Sequence, residues 1–368
     1  MEYRKIQDQK VSFLGYGGSR WPKLANLEVD QEESKRLFNV AYENGVNYYD
    51  TAYIYYHGLS EKVLGDWLVT IARETVNIAT KFPVFKMENE SDITRMFNEQ
   101  LVRLQTDYID FYLLHSLDKE AWQTVKKYDL FTVFSEYKKT KQIRYLGFSF
   151  HDDYELFAEI IEAYPWDFAQ IQFNYMDKNF QAGVKGIELA NKLNIPLIIM
   201  EPLKGGLLGE LPDEEKSFFT NPNYSPASMG MRWVAQYPGI AVILSGMGSE
   251  EMLLENIATL SNPIPLNEEE KIQVDKIASS LANKVLVPCT GCAYCMPCEF
   301  DVDIPKCFDY LNIGNRYNNY PKAKALYKEH VNTKAASNCQ KCNACISKCT
   351  QHIDIPKELE LVVETFEK

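Results

Sequence analysis

Along the first 265 residues or so, short apolar runs alternate with amphipathic stretches, and this alternation constrains the fold more than any other feature. The runs are Val11–Gly15, Val46–Tyr49, Val76–Phe82, Tyr108–His115, Tyr145–Phe150, Phe168–Phe173, Pro196–Met200 and Ile240–Leu244. Rich in β-branched and aromatic residues, each reads as a buried strand. Between them, Gln31–Asn44, Ser60–Ala72, Ile93–Leu104, Trp122–Thr140, Tyr154–Ala163, Gly183–Leu193, Ala227–Gln236 and Glu250–Leu260 read as helices. Eight strands in strict alternation with helices over about 250 residues predict an α/β chain with a parallel (β/α)8 TIM barrel. A doubly wound sheet is the runner-up, but its G-x-G-x-x-G loop opening a helix is absent. Gly15-Tyr16-Gly17-Gly18 comes nearest and runs into Ser19-Arg20-Trp21-Pro22, which starts no helix.

The composition changes after residue 288. All nine cysteines fall between Cys289 and Cys349, and none precedes them. Two domains are therefore expected, a barrel over 1–284 and a small cysteine-bearing domain over 285–368. The amino terminus carries charge from its second residue and shows no signal-peptide apolar core, so a cytoplasmic location is expected. In a reducing compartment, clustered cysteines favour metal ligation over disulfides. No apolar run is long enough to span a bilayer. A net charge of -12 repels phosphate backbones. Neither membrane nor nucleic acid is an expected partner.

In a (β/α)8 barrel, polar residues at strand C-terminal ends are the candidates for chemistry. Asp50 ends the second run in YYDTAYIYYHG, Tyr55 follows on its loop, Lys81 ends the third in IATKFP, and His115 ends the fourth in YLLHS. With DTAYIYYHGLSEKVLG, IATKF, YLLHSLD, GFSFHD, IQFNY and MEPLKGG in that order, the first 265 residues resemble the aldo/keto reductases. The resemblance implies a catalytic tetrad of Asp50, Tyr55, Lys81 and His115 acting on a small-molecule carbonyl or alcohol. Carbonyl reduction needs a hydride on carbon and a proton on the developing alkoxide. A phenol delivers that proton if a nearby cation brings its pKa of about 10 closer to neutrality. In that scheme Lys81 stabilises the tyrosinate form of Tyr55, Asp50 orients Lys81, and His115 donates to the substrate oxygen.

The same resemblance carries Ser149 and Gln172 onto positions that hydrogen-bond a nicotinamide amide, and it implies NADH or NADPH as cofactor. Two departures follow. Met200 stands where many members place an aromatic ring. In the phosphate-binding segment SGMGSEEMLLEN, the turn from Ser245 through Gly246 to Ser249 can offer backbone N–H groups to a phosphate. There, however, Gly246 replaces a lysine and Met252 an arginine. The expected 2′-phosphate site lacks a cation, which favours NADH. Arg20 follows a different strand and is not expected to compensate; a substrate carboxylate, a cofactor phosphate or a surface ion pair are its open readings.

The cysteines form two runs, Cys289, Cys292, Cys295, Cys298 and Cys339, Cys342, Cys345, Cys349. Two CxxCxxC repeats, each followed by one more cysteine, match the spacing of two-cluster ferredoxins, in which the last thiolate of each run crosses to the other cluster. This predicts two 4Fe–4S clusters, one on Cys289, Cys292, Cys295 and Cys349, the other on Cys339, Cys342, Cys345 and Cys298, in a ferredoxin-like α-rich domain. Structural zinc would use paired CxxC knuckles rather than triplets. The repeats FDVDIP and HIDIP behind the two runs suggest duplicated halves. The whole arrangement resembles iron–sulfur members of the reductase group. Nicotinamide moves two electrons together whereas each cluster takes one, so a flavin or a redox protein partner is the alternative expectation.

Overall fold

The computed structural model describes residues 1–24, 28–289, 291, 293–349 and 351–368. Cys292 therefore lies outside the described residues. The chain divides into two compact units: residues 1–209 with 223–271, and residues 210–222 with 272–368.

The first unit opens with an antiparallel hairpin, β1 (Tyr3–Ile6) and β2 (Gln9–Ser12), in which Ile6 pairs with Gln9 around Gln7 at φ 55°. The barrel follows: β3 (Leu14–Gly17), β4 (Tyr48–Asp50), β5 (Asn77–Phe82), β6 (Ile109–Leu117), β7 (Ile143–Phe150), β8 (Phe168–Gln172), β9 (Leu197–Met200) and β10 (Ile240–Ser245). All are parallel and close in the order β10-β3-β4-β5-β6-β7-β8-β9. The expected barrel is thus present, with one correction at its start. Val11 belongs to the hairpin, and the first barrel strand begins at Leu14. The reason lies in packing: Ile6 and Val11 join Tyr48, Ala79, Phe111, Phe168, Ile198 and Val242 in one buried cluster, so the hairpin fills the barrel floor. Burying each such side chain contributes about 1.5–3 kcal/mol.

Helix starts are fixed by side-chain caps. Asp30, Asp118, Asp153, Ser225 and Ser249 each accept the N–H of the residue three positions on. They begin α1 (Gln31–Glu43), α4 (Lys119–Lys127), α6 (Tyr154–Ala163), α9 (Pro226–Ala235) and α10 (Glu250–Ser261). Between α1 and α4 lie α2 (Leu59–Leu68) and α3 (Ser91–Leu104). The single helix expected over Trp122–Thr140 is two, because Asp129 takes a left-handed conformation at φ 46° and separates α4 from α5 (Leu130–Lys139). An aspartate adopts that conformation at little cost. The next helix, α7 (Gly183–Leu193), matches expectation, α8 (Asp213–Lys216) is a single turn, and α11 (Glu268–Asn283) links the two units in sequence.

The second unit is helical. Its helices α12 (Ile304–Arg316), α13 (Tyr320–His330) and α14 (Ile355–Phe366) bury Phe308, Leu311, Ala323, Leu359, Val362 and Phe366. The repeat seen in sequence is a repeat of structure: Asp303 and Asp354 each cap a helix with proline in its first turn, accepting from Lys306 and Lys357 at 3.4 Å. Buried Asn312 holds the approach to the first cysteine run, accepting from Leu286 and Val287 N–H and donating to the Val287 carbonyl. No helix among the described residues is long and apolar enough to cross a membrane.

Candidate active site

Three successive strand ends and the loop after β4 gather the sequence-predicted tetrad. Lys81, wholly buried on β5, donates to Asp50 Oδ1 at 2.6 Å and to the Thr51 carbonyl at 2.7 Å. Its Nζ lies over the Tyr55 ring, 5.0 Å from the ring centre. The His115 ring stands edge-on to Tyr55, centroids 5.9 Å apart, with Phe85 on its other side at 5.7 Å. Tyr55 opens a short turn in which Tyr56 and His57 adopt left-handed backbone, φ 49° and 57°. The Tyr56 hydroxyl accepts from Trp21 N–H and donates to the Ser19 carbonyl, tying this turn to the loop after β3. His57 is exposed.

Burial sets the protonation states. It acts to lower Lys81, but the charges and hydrogen bonds of Asp50 and Tyr55 outweigh it and hold the ammonium above the ordinary lysine range. Burial raises Tyr55, and Lys81 opposes this without reversing it. The expected downward pull of Lys81 is therefore present yet smaller than desolvation, and Tyr55 is a neutral phenol. Burial first, then the Lys81 charge, push His115 well below the usual imidazole value, so its ring is neutral near pH 7. Among the described residues, His115 Nδ1 and Asp50 Oδ2 are buried without hydrogen-bond partners.

Beneath the tetrad lies a network that sequence reading missed. Glu61, fully buried, accepts from Thr80 Oγ1 at 2.6 Å and Gln100 Nε2 at 2.7 Å through one oxygen, and from Arg103 at 3.1 Å through the other. Gln100 also donates to the Lys81 carbonyl, and Arg103 to the Tyr53 carbonyl. One carboxylate thus braces both the strand bearing Lys81 and the loop bearing Tyr55. Its signal was available: a glutamate on the inner face of α2 needs polar partners.

The residues carried over for the cofactor lie at the same mouth. Ser149 Oγ accepts from Ser116 N–H at 2.7 Å, and Gln172 donates to Asp177, which also takes Lys204 at 2.6 and 2.7 Å. Met200 Sδ receives Gln170 at 3.5 Å. Ser245 accepts from Asn256 at 3.1 Å, and Ser249 caps α10. Arg20 lies beside this segment. Barrel closure sets β10 beside β3, with Ser245 opposite Tyr16, and lays the Arg20 stem over Gly246. Arg36, on α1, pairs with Glu250 at 2.7 Å beside exposed Met252. Between β7 and α7, His151, Asp152, Phe180, Gln181 and Lys185 line a cleft of about 830 Å³.

In the second unit, Cys298 lines one cleft with Cys339, Cys342 and Cys345, and Cys295 reaches the same wall. A second cleft is lined by Cys289, Cys295 and Cys349. Among the described residues no three His, Cys, Asp or Glu side chains stand as the ligands of a single metal ion. Cys307, the ninth cysteine, is buried against the Tyr327 hydroxyl, and burial pushes its thiol up to about 12. It is an inert core thiol.

The aldo/keto reductase family pattern matches residues 13–279. The Bacillus subtilis oxidoreductase YqkF is 25% identical over 306 residues, covering 73% of this chain and 94% of its own. The NADH-specific methylglyoxal reductase of Escherichia coli is 23% identical, covering 72% and 92%. The solved structure of the aldo-keto reductase AKR11C1 from Bacillus halodurans superposes with a TM-score of 0.62 at 24% identity, covering 75% of this chain and 96% of that one. With a parallel eight-stranded barrel, a buried lysine and aspartate beneath a tyrosine, and a family pattern spanning most of its length, this chain is an oxidoreductase of the aldo/keto reductase family.

Proposed function

We propose that the chain reduces a small carbonyl substrate, with Tyr55 as proton donor and a nicotinamide nucleotide as hydride source. The carrying observation is buried Lys81, bound at once to Asp50 and the Thr51 carbonyl, with its ammonium over the Tyr55 ring. The nucleotide supplies a hydride to the carbonyl carbon when bound. Tyr55, held as the neutral phenol, gives its proton to the developing alkoxide. Lys81 then stabilises the tyrosinate, and Asp50 keeps Lys81 charged. Neutral His115 faces the same oxygen and directs it toward the phenol. Ser149, Gln172 and Met200 would hold the nicotinamide side. Gly246 and Gly248 would take the phosphates, since a side chain at Gly248 would meet nothing closer than the Arg20 carbonyl at 3.8 Å. The NADH-specific relative and the lack of a cation at Met252 support NADH over NADPH.

The residues of 285–368 we assign to two 4Fe–4S clusters, and the barrel activity to 1–284. The donor set is all thiol, and its grouping supports crossed ligation: Cys298 shares a cleft with the second run, and Cys349 with Cys289 and Cys295. Cys292 completes the latter set from outside the described residues. The clusters supply one-electron chemistry when bound; the residues around them position thiols.

Tyr55→Phe tests the reductase reading. It removes the donor and little volume, so turnover falls by about 10²–10⁴, the usual worth of a general acid, while nucleotide affinity holds. Turnover within tenfold of the parent protein would falsify the assignment. A visible spectrum of protein purified without oxygen tests the clusters, and binding of neither nucleotide would favour a flavin and a redox partner instead.

A further inference from the structure

The loop after β8 returns over the end of its own strand. Asn174, wholly buried, accepts from the N–H groups of Met176 and Asp177 at 3.0 Å each, and its Nδ2 donates to the Glu201 carbonyl at 3.1 Å and to Asp177 Oδ2 at 3.0 Å. The turn brings the Asp177 carboxylate back to Gln172, the last residue of β8, whose Nε2 donates to Oδ2 at 2.9 Å. Lys204, on the loop after β9, closes the other side with Nζ 2.7 Å from Oδ1 and 2.6 Å from Oδ2. Two loops and one strand end thus meet on a single carboxylate. Of its partners, Gln172 stands on the inner face of the barrel, four positions after the core residue Phe168 and level with Met200 on β9.

A carboxamide has a donor end and an acceptor end of nearly the same size, and an isolated one can turn either toward a ligand. A carboxylate only accepts, so it dictates which end faces it. With Nε2 held by Asp177, Gln172 Oε1 faces away from Asp177. We propose that Asp177, clamped by Lys204, is a positioning residue: it holds the Gln172 amide with its carbonyl toward a bound nucleotide, so that the pocket reads the N–H donor of a nicotinamide carboxamide. Lys204 takes both oxygens and so fixes the plane of the carboxylate, while Asn174 fixes the turn that carries it. The Asp177 and Lys204 side chains are only 13% and 24% exposed, and the carboxylate accepts from three side chains at once, which sets this pair apart from a lone surface ion pair.

This proposal rests on the nicotinamide reading, and the test is equilibrium titration of the full chain with NADH and with reduced 3-acetylpyridine adenine dinucleotide, in which a methyl group replaces the amide nitrogen. The unaltered protein is expected to bind NADH about tenfold more tightly, the size of one hydrogen bond left unmade. In Asp177→Ala the Gln172 amide is free to turn and donate to the ketone, so the preference should fall to threefold or less. Lys204→Met, which leaves the Asn174 turn intact, should lower it in the same direction by a smaller factor. A merely structural role for Asp177 would weaken both ligands alike and leave their ratio unchanged; that result overturns the proposal, as does equal binding of the two by the unaltered protein. Should Asp177→Ala fail to fold, an unchanged ratio in Lys204→Met overturns it equally. If the unaltered protein does not bind NADH at all, the nicotinamide reading fails and this proposal with it, an outcome distinct from a lost preference.

Discussion

The two units build their candidate sites in opposite ways. In the barrel, the candidate site is fixed before any ligand arrives: Lys81 is wholly buried with two protein acceptors within 2.7 Å. In the helical unit, the described cysteines of the two runs sit on irregular chain between helices, mostly half-buried and facing shared clefts. The difference fits the roles proposed for the two sites. A proton donor needs its geometry fixed in advance. A thiolate cage is gathered by the metal it holds, and the binding energy becomes folding energy.

That contrast can be broken at several points. The largest effect belongs to Cys349→Ala, which should cut iron and acid-labile sulfide from about eight per chain to about four, leaving the cluster on Cys298, Cys339, Cys342 and Cys345. Zinc in anaerobically prepared protein, with no sulfide, would sink the cluster assignment. Next comes the brace. Glu61→Ala leaves Gln100 and Arg103 without their acceptor, at about 1–3 kcal/mol for each buried donor, read by urea unfolding. Glu61→Gln, which keeps the acceptor oxygen, should recover much of the loss. Equal stability of Glu61→Ala and the parent protein would show that the brace carries no strain of assembly. Smaller still is nucleotide choice: NADH should bind at least as tightly as NADPH, and a clear NADPH preference would mean that Arg36 leaves Glu250 to serve the 2′-phosphate.

The smallest effect is a pH dependence of stability. His115 has its folded value pushed below its unfolded value near 6.5 by burial and by Lys81. The unfolded chain then binds the extra proton, so this contribution is present above pH 6.5 and is lost as the pH falls below it. His115→Phe should flatten the acid limb of the unfolding profile; an unchanged limb would remove His115 as its cause.

Much of the barrel was legible because strand runs and helical periodicity are local properties. Asp50, Lys81 and His115 could be picked as strand-end polar residues, and Tyr55 on the loop after Asp50, without knowing any distance. The hairpin was not, since Val11 and Leu14 differ by three positions and both are apolar; only the pairing of Ile6 with Gln9 separates floor from wall. The place of Arg20 beside Gly246 was not legible for a topological reason. Residues 20 and 246 are neighbours only because the barrel closes, and closure is a global property that no window of sequence displays. Asp129 broke a helix whose amphipathic pattern ran on, because one left-handed residue is invisible to periodicity.

The brace of Glu61, Gln100 and Arg103 bears on how such a barrel changes its repertoire. Its members sit on α2 and α3 and hold Lys81 and the Tyr53 carbonyl from below, away from the rim where His151, Phe180 and Lys185 line the cleft. Rim segments can therefore be lengthened, shortened or exchanged between molecules while the brace under Lys81 stays in register. In engineering terms the scaffold separates two kinds of change: substitutions at 179–185 alter the cleft wall and leave the brace untouched, whereas a single change at Glu61 removes support from Lys81 and the Tyr53 carbonyl together.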